Sequence, residues 1–181
     1  MNKWDDGLRA SQGFASASPG RLLRVAAALL FLTVGCGSAR AAPQIDAAAP
    51  ALVLSELGGQ SFDLSKLRGK VVLVTYWATW CAPCKKEMPI LDSFYRRYHE
   101  RGLEVIGISA DRPQDFAKMR KMSNSLAYPT ATMNQITDDG FGPPEGFPLT
   151  YVVDGNGIIR DKFIDVREQL LRDVVLPLLP H

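Results

Sequence analysis

Residues 71–84 read Val-Val-Leu-Val-Thr-Tyr-Trp-Ala-Thr-Trp-Cys-Ala-Pro-Cys, and this stretch decides the fold. Val71 to Trp77 is a continuous rather than an alternating apolar run, the pattern of a strand buried on both faces at the centre of an α/β sheet. Beyond it a helix is expected to open around Pro83, because proline suits the first helical turn. Cys81 and Cys84 therefore stand where a strand hands over to a helix N-terminus, the layout of a dithiol redox site. The unpaired amides and the positive dipole end stabilise a thiolate on Cys81. Two residues between the sulfurs let the second thiol reach the mixed disulfide that forms when the first attacks a substrate. Cys81 is thus read as the nucleophile and Cys84 as the resolving thiol, with Cys84 facing inward and Cys81 at the exposed cap. Lys85 and Lys86 add positive charge nearby, and a solvated helix face accounts for them equally well.

The rest of the chain weighs against other uses of the cysteine pair. It holds one further cysteine, Cys36, and two histidines, His99 and His181. Structural zinc wants four ligands, usually from a second pair, and there is none. Covalent haem attachment needs histidine directly after the second cysteine, and that position is Lys85. Copper carriers of similar layout space their cysteines by three residues and add a histidine. No metal and no cofactor is implied. A purely structural disulfide remains the alternative.

Working outward towards the N-terminus, Lys3, Arg9, Arg21 and Arg24 precede an uncharged run from Val25 to Val34. This has the form of a signal-peptide core and is too short to span a bilayer comfortably. Two processing signals overlap at its end. Leu32-Thr33-Val34-Gly35-Cys36 has the small residue before cysteine that suits lipidation of Cys36, although Thr33 stands where leucine is commonest. Ala39-Arg40-Ala41 is a small-x-small cleavage site, and its use leaves a soluble exported protein. Lipidation is the favoured reading because it also accounts for the odd cysteine. Residues 1–41 are thus a signal segment with the start of a tether, 42–50 an Ala/Pro-rich linker, and 51–181 one domain. Without residues 1–35 the chain carries seventeen Lys plus Arg and seventeen Asp plus Glu, so no nucleic-acid partner is indicated. Roughly 140 residues remain, enough for one domain with a sizeable core.

Leu52 to Leu54 and Ser61 to Asp63 flank Gly58-Gly59 and suggest a short hairpin, followed by a turn over residues 64–69. After the cysteines, Met88, Leu91, Tyr95 and Tyr98 recur at helical spacing, and Gly102 is placed to end that helix as a left-handed cap. Pro89 removes one helical amide bond and is expected to kink the helix. His99 is read as a surface residue compensating the helix dipole. Leu103 to Ser109 is a second buried strand, and Asp111 and Pro113 introduce a helix reaching about Ser123, which completes a parallel βαβ unit. Thr150 to Val153, the turn Asp154-Gly155-Asn156-Gly157 and Ile158 to Ile164 form a hairpin. A last helix is expected over residues 166–179, with Asp165 as N-cap and Glu168 three residues on.

The segment from Val71 to Pro89, with Leu67-Arg68-Gly69-Lys70 before it and Phe147-Pro148-Leu149-Thr150-Tyr151-Val152-Val153-Asp154-Gly155-Asn156-Gly157 near the end, resembles the thioredoxin superfamily, in its TlpA/ResA branch. The resemblance covers residues 51–179 in order. It implies an α/β thioredoxin fold, a mixed central sheet flanked by helices, with an N-terminal β-hairpin extension. It also implies an envelope-anchored thiol-disulfide oxidoreductase of the redoxin type, a reductant of protein disulfides or of apocytochrome c thiols, working in the bacterial periplasm. Its partners would be protein disulfide or thiol substrates, a membrane donor that re-reduces the dithiol, and the membrane itself through a lipid or signal anchor. By the same resemblance Pro148 is the cis-proline opposite the cysteines, and Trp80 and Phe147 join it as substrate-binding residues. One departure concerns the buried aspartate that thioredoxins keep six residues before the first cysteine, since here that position is Thr75. Glu56, Glu87 and Glu145 are the candidate proton acceptors in its place. The competing readings are a thiol peroxidase on the same fold and a non-enzymatic binding module with a structural disulfide.

Overall fold

The computed structural model of the chain describes residues 43–180. The signal segment, Cys36 and the Ala39-Arg40-Ala41 site lie outside the described residues. The N-terminal strands β1 (Leu52–Ser55) and β2 (Ser61–Asp63) form the expected antiparallel hairpin, with Gly59 at φ 84° in its turn. Residues 64–67 make one 3₁₀ turn capped by Asp63, whose carboxylate accepts from Ser65 N at 3.0 Å.

Strand β3 (Val71–Trp77) then enters the centre of the molecule, and all seven of its residues are buried. Fully burying a valine or leucine stabilises a fold by about 1.5–3 kcal/mol, and Val71, Val72, Leu73 and Val74 are all essentially inaccessible. The continuous apolar run has the expected cause: Val72, Val74 and Tyr76 join a core on one face of the sheet, and Val71 and Leu73 join a core on the other. Helix α1 (Ala82–Tyr98) follows, then a 3₁₀ turn over residues 99–101 that ends at Gly102 in the left-handed region with φ 87°. Gly102 O accepts from Val71 N at 2.9 Å, so the end of this helix is tied to the start of β3. His99 Nδ1 lies 3.1 Å from Leu103 O.

Strand β4 (Leu103–Ser109) pairs parallel to β3 along its full length. Helix α2 (Phe116–Ser123) and strand β5 (Thr130–Thr132) extend the parallel set. After β6 (Ile136–Asp139), strands β7 (Leu149–Val153) and β8 (Ile159–Phe163) complete a five-stranded mixed sheet of order β5-β4-β3-β7-β8, with β7 antiparallel to β3. Helix α3 (Glu168–Val174) closes the described chain with a final 3₁₀ turn. The α/β thioredoxin architecture is therefore present: β3 and β4 carry the site at their C-terminal ends, and α1 leaves from it.

Four details differ from the sequence reading. Strand β6 pairs with β1, so the N-terminal hairpin is the larger part of a three-stranded sheet of order β2-β1-β6. The second helix begins later than Asp111, with a 3₁₀ turn at Pro113–Asp115 before α2. Asp165 does not cap the last helix. Val166 is drawn into the core at 1% exposure, Arg167 stays extended as the N-cap residue, and the Asp165 carboxylate binds Arg167 Nε at 2.8 Å instead. Finally, the Ala/Pro content of 42–50 reads as linker, but residues 46–49 lie against the sheet. Asp46 N donates to Ile159 O at 2.7 Å, and Ala49 N donates to Gly157 O at 2.8 Å. Small side chains let this backbone approach β8 closely.

Candidate active site

The dithiol turn is built from four local constraints. Cys81 is the N-cap of α1, and its Sγ accepts from Cys84 N at 3.2 Å, which gives an otherwise orphaned helical amide a partner. Pro83 occupies the first turn, where its missing N–H costs nothing. The two cysteines form a disulfide with Cα atoms 5.3 Å apart. Behind them, Cys81 N donates to Ala78 O at 3.1 Å, closing the turn that leads from β3.

That turn is held from the neighbouring strand by one buried carboxylate. Asp111, just past the end of β4, accepts from Thr79 N at 3.1 and 2.9 Å through its two oxygens, from Thr79 Oγ1 at 2.7 Å and from Ser109 Oγ at 2.8 Å. The sequence reading placed Asp111 at a helix start and missed this role. The available signal was an acidic residue two positions after a serine at the end of a buried strand.

The structure places Cys84 at 1% exposure, as expected, but Cys81 is also nearly enclosed at 4%. The exposed position expected for Cys81 is thus corrected, because Phe147 packs against the apolar cluster that contains both cysteines. Trp80, 59% exposed, meets Phe147 edge to face with ring centroids 5.4 Å apart. The Phe147–Pro148 peptide bond is cis. Pro148 and Cys84 line the same narrow seam between α1 and the sheet, together with Thr75, Glu87 and Tyr128. Phe147 and Pro148 are therefore brought to the cysteine turn from a segment far away in sequence, and Phe147 meets there the Trp80 ring that directly precedes Cys81. Beside them runs an open groove of about 480 Å³ whose walls include Pro83, Phe147, Pro148 and the exposed Ile164.

The three candidate carboxylates separate clearly. Glu145 is at the rim, paired with Lys162 at 3.1 Å. Glu56 faces a different depression, beside Glu104, and burial followed by repulsion from Glu104 raises its pKa. Glu87 lines the seam with Cys84, one helical turn further along α1, and is 5% exposed. Burial is the largest influence on it and raises its pKa, the Val166 N–H opposes this, and Asp165 adds to the rise. A carboxylate shifted towards neutrality beside a buried thiol is suited to accept that thiol's proton. Thr75 makes only a hydroxyl pair with Thr150 at 2.8 Å.

The raised pKa of Glu87 also carries a stability consequence. The fold favours its protonated form, so its contribution is full below the ordinary carboxylate value and is lost as pH rises through the raised value. Glu87→Gln, which keeps an acceptor for the Val166 amide, is expected to be more stable than the parent at neutral pH. The advantage should vanish below about pH 4. Urea midpoints at the two pH values check this, and an equal difference at both overturns it.

Comparison with known proteins agrees with this geometry. The AhpC/TSA family model matches residues 45–162. A thiol-disulfide oxidoreductase ResA from Bacillus anthracis is 34% identical over 132 residues, covering 70% of this chain and 75% of its own length. The ResA of Geobacillus thermodenitrificans is 31% identical over 124 residues, covering 67% and 70%. Among solved structures, a secreted thiol-disulfide isomerase from Corynebacterium glutamicum superposes with a TM-score of 0.59 at 28% identity, over 72% of this chain and 84% of that one. A thioredoxin family thiol:disulfide interchange protein from Chlorobium tepidum has the same fold, with a TM-score of 0.59 at 21% identity over 74% of this chain and 99% of that one. The chain is a thioredoxin-fold member of the AhpC/TSA family and a thiol-disulfide oxidoreductase of the ResA type.

Proposed function

We propose that the protein is a disulfide reductase of the bacterial periplasm, tethered to the membrane through a lipid on Cys36, which acts on protein disulfides, among them those of apocytochrome c. The observation that carries the reading is the Cys81–Cys84 disulfide at the N-terminus of α1, facing a cis-proline loop. In the reduced protein the Cys81 thiolate attacks one sulfur of a substrate disulfide. The substrate S–S bond breaks, a Cys81–substrate disulfide forms, and the leaving substrate sulfur takes a proton. Cys84 then gives its proton to Glu87 and attacks Cys81 Sγ, releasing the second substrate thiol and leaving the Cys81–Cys84 disulfide. Two electrons have passed to the substrate. A membrane dithiol donor must return them, because disulfides persist outside the cytoplasm. Phe147, Pro148 and Trp80 form the substrate-facing edge: the loop backbone is available to pair with an extended segment, and the two rings cover its apolar side chains.

Equilibrating the protein in graded glutathione buffers and reading Cys81 and Cys84 by thiol-labelling mass tests the direction. A midpoint below about −220 mV is expected for a reductant, whereas one near −120 mV marks a disulfide donor and overturns the proposal.

A further inference from the structure

Two buried polar groups are left without partners along the seam beneath Cys84. Tyr128 is 2% exposed and its hydroxyl makes no hydrogen bond, and the indole N–H of the equally buried Trp77 makes none either. Both residues line the void that also meets Cys84, Glu87 and Thr75. Gly107 lets them approach one another, since a Cβ there would lie 3.1 Å from Trp77 Nε1 and 3.1 Å from Tyr128 Cε2. An orphaned buried hydroxyl is unfavourable and rare in a folded protein. The void offers no space for a water-sized sphere, so a bridging water is not the answer. Thr75 Oγ1 already receives the Thr150 hydroxyl.

The acceptors left in the seam are the Glu87 carboxylate and the Cys84 sulfur, and of these only the sulfur is itself changed by reduction. A disulfide sulfur accepts hydrogen bonds weakly, whereas the sulfur set free on reduction accepts them better, most of all as the thiolate left when Cys84 gives up its proton. Resting on the disulfide-exchange reading above, we propose that the Tyr128 hydroxyl is the hydrogen-bond donor that receives the Cys84 sulfur when the Cys81–Cys84 bond opens, so that the fold holds an unmet donor in the disulfide form and a met one in the dithiol form. Burial, with Asp92 and Glu87 as the negative charges that act on it, pushes the Tyr128 phenol up, which keeps it a protonated donor throughout the working range. The device biases the couple: Tyr128 favours the reduced protein and moderates its reducing power.

Tyr128→Phe preserves the ring and removes the donor. In glutathione buffers, two electrons and two protons pass from the Cys81 and Cys84 thiols to glutathione disulfide, giving the Cys81–Cys84 disulfide and two glutathione thiols. The variant is expected to shift this equilibrium about three- to tenfold towards the protein disulfide, lowering the midpoint by about 15–30 mV. Its disulfide form should melt higher than the parent's and its dithiol form lower. A purely structural tyrosine moves both melting points alike and leaves the midpoint in place, which overturns the proposal. In unsubstituted protein carrying ¹³Cζ-labelled tyrosine, the Tyr128 resonance is expected to move on reduction, and an unmoved resonance also overturns it. If the parent protein itself does not equilibrate with glutathione, the exchange reading fails and this inference with it. If the parent equilibrates and Tyr128→Phe has the same midpoint, the inference alone fails.

Discussion

Cys84→Ser protein is expected to accumulate a covalent adduct with its disulfide substrates through Cys81, while Cys81→Ser protein forms none and loses exchange activity by on the order of 10³-fold or more. The difference follows from the positions of the two sulfurs. Cys81 caps α1 and accepts from the amide of Cys84, so its thiolate is stabilised by the helix end and attacks first. A serine hydroxyl at 84 cannot resolve the mixed disulfide, and the adduct then waits for an external thiol. Instability does not account for such a result. The disulfide joins residues only three apart in sequence, and the loop-closure entropy it removes from the unfolded chain is correspondingly small. Both variants should therefore melt close to the reduced parent. The measurement is mass spectrometry of each variant after incubation with an envelope extract and a model protein disulfide. Absence of any adduct on Cys84→Ser, with the variant folded, would remove the exchange mechanism and leave a structural disulfide. An adduct on Cys81→Ser would reverse the assigned roles.

How far the sequence carried depended on the length of each pattern. Strand β3 was legible because a strand buried on both faces admits only apolar or hydroxyl side chains, and seven such residues in a row seldom occur in a short surface element. Helix α1 was legible from its periodicity and from Gly102, whose positive φ ends it. Strands β5 and β6 were not. Thr130–Thr132 has three residues and no alternation to detect, and Ile136–Asp139 lies at the edge of the three-stranded sheet with its side chains largely in solvent. The last helix was misplaced by its capping pattern, because burial of Val166 outweighed a surface cap, and burial is worth more than one such hydrogen bond. At the site, the cysteine pair was legible because the chemistry fixes its spacing. Glu87 could be named but not ranked above Glu56 and Glu145, since no local pattern reveals which of three carboxylates faces a buried thiol. Asp111 meets Thr79, and Tyr128 lines the seam with Cys84, only through the fold, and a contact made through tertiary packing leaves no periodic trace.

Asp111→Ala is expected to lower stability by about 2–4 kcal/mol and to slow exchange with a model disulfide by about tenfold. The stability loss comes from three buried donors, Thr79 N–H, Thr79 O–H and Ser109 O–H, which share one carboxylate at 2.7–3.1 Å and find no other acceptor when it is removed. Leaving a buried donor unmet costs more than a typical net hydrogen bond contributes. By contrast, breaking the Arg172–Glu168 pair, whose side chains are 42% and 56% exposed, should change stability by less than about 1 kcal/mol. The loss of rate has a separate origin. Thr79 stands two residues before Cys81 in the turn closed by the Cys81 N to Ala78 O bond, so the carboxylate fixes the entry of the chain into the helix cap from the end of β4. Releasing it lets the Cys81 sulfur wander from the helix terminus that stabilises its thiolate. Asp111→Asn separates the two contributions. Its single carbonyl oxygen can still receive Thr79 while its amide cannot receive Ser109, so it should recover most of the exchange rate but only part of the stability. Urea midpoints and stopped-flow exchange with a chromogenic disulfide measure both quantities. Asp111→Ala within about 0.5 kcal/mol of the parent would show that Thr79 and Ser109 find other partners. Equal exchange rates for Asp111→Ala and Asp111→Asn would sever the link between this carboxylate and the thiolate it is argued to position.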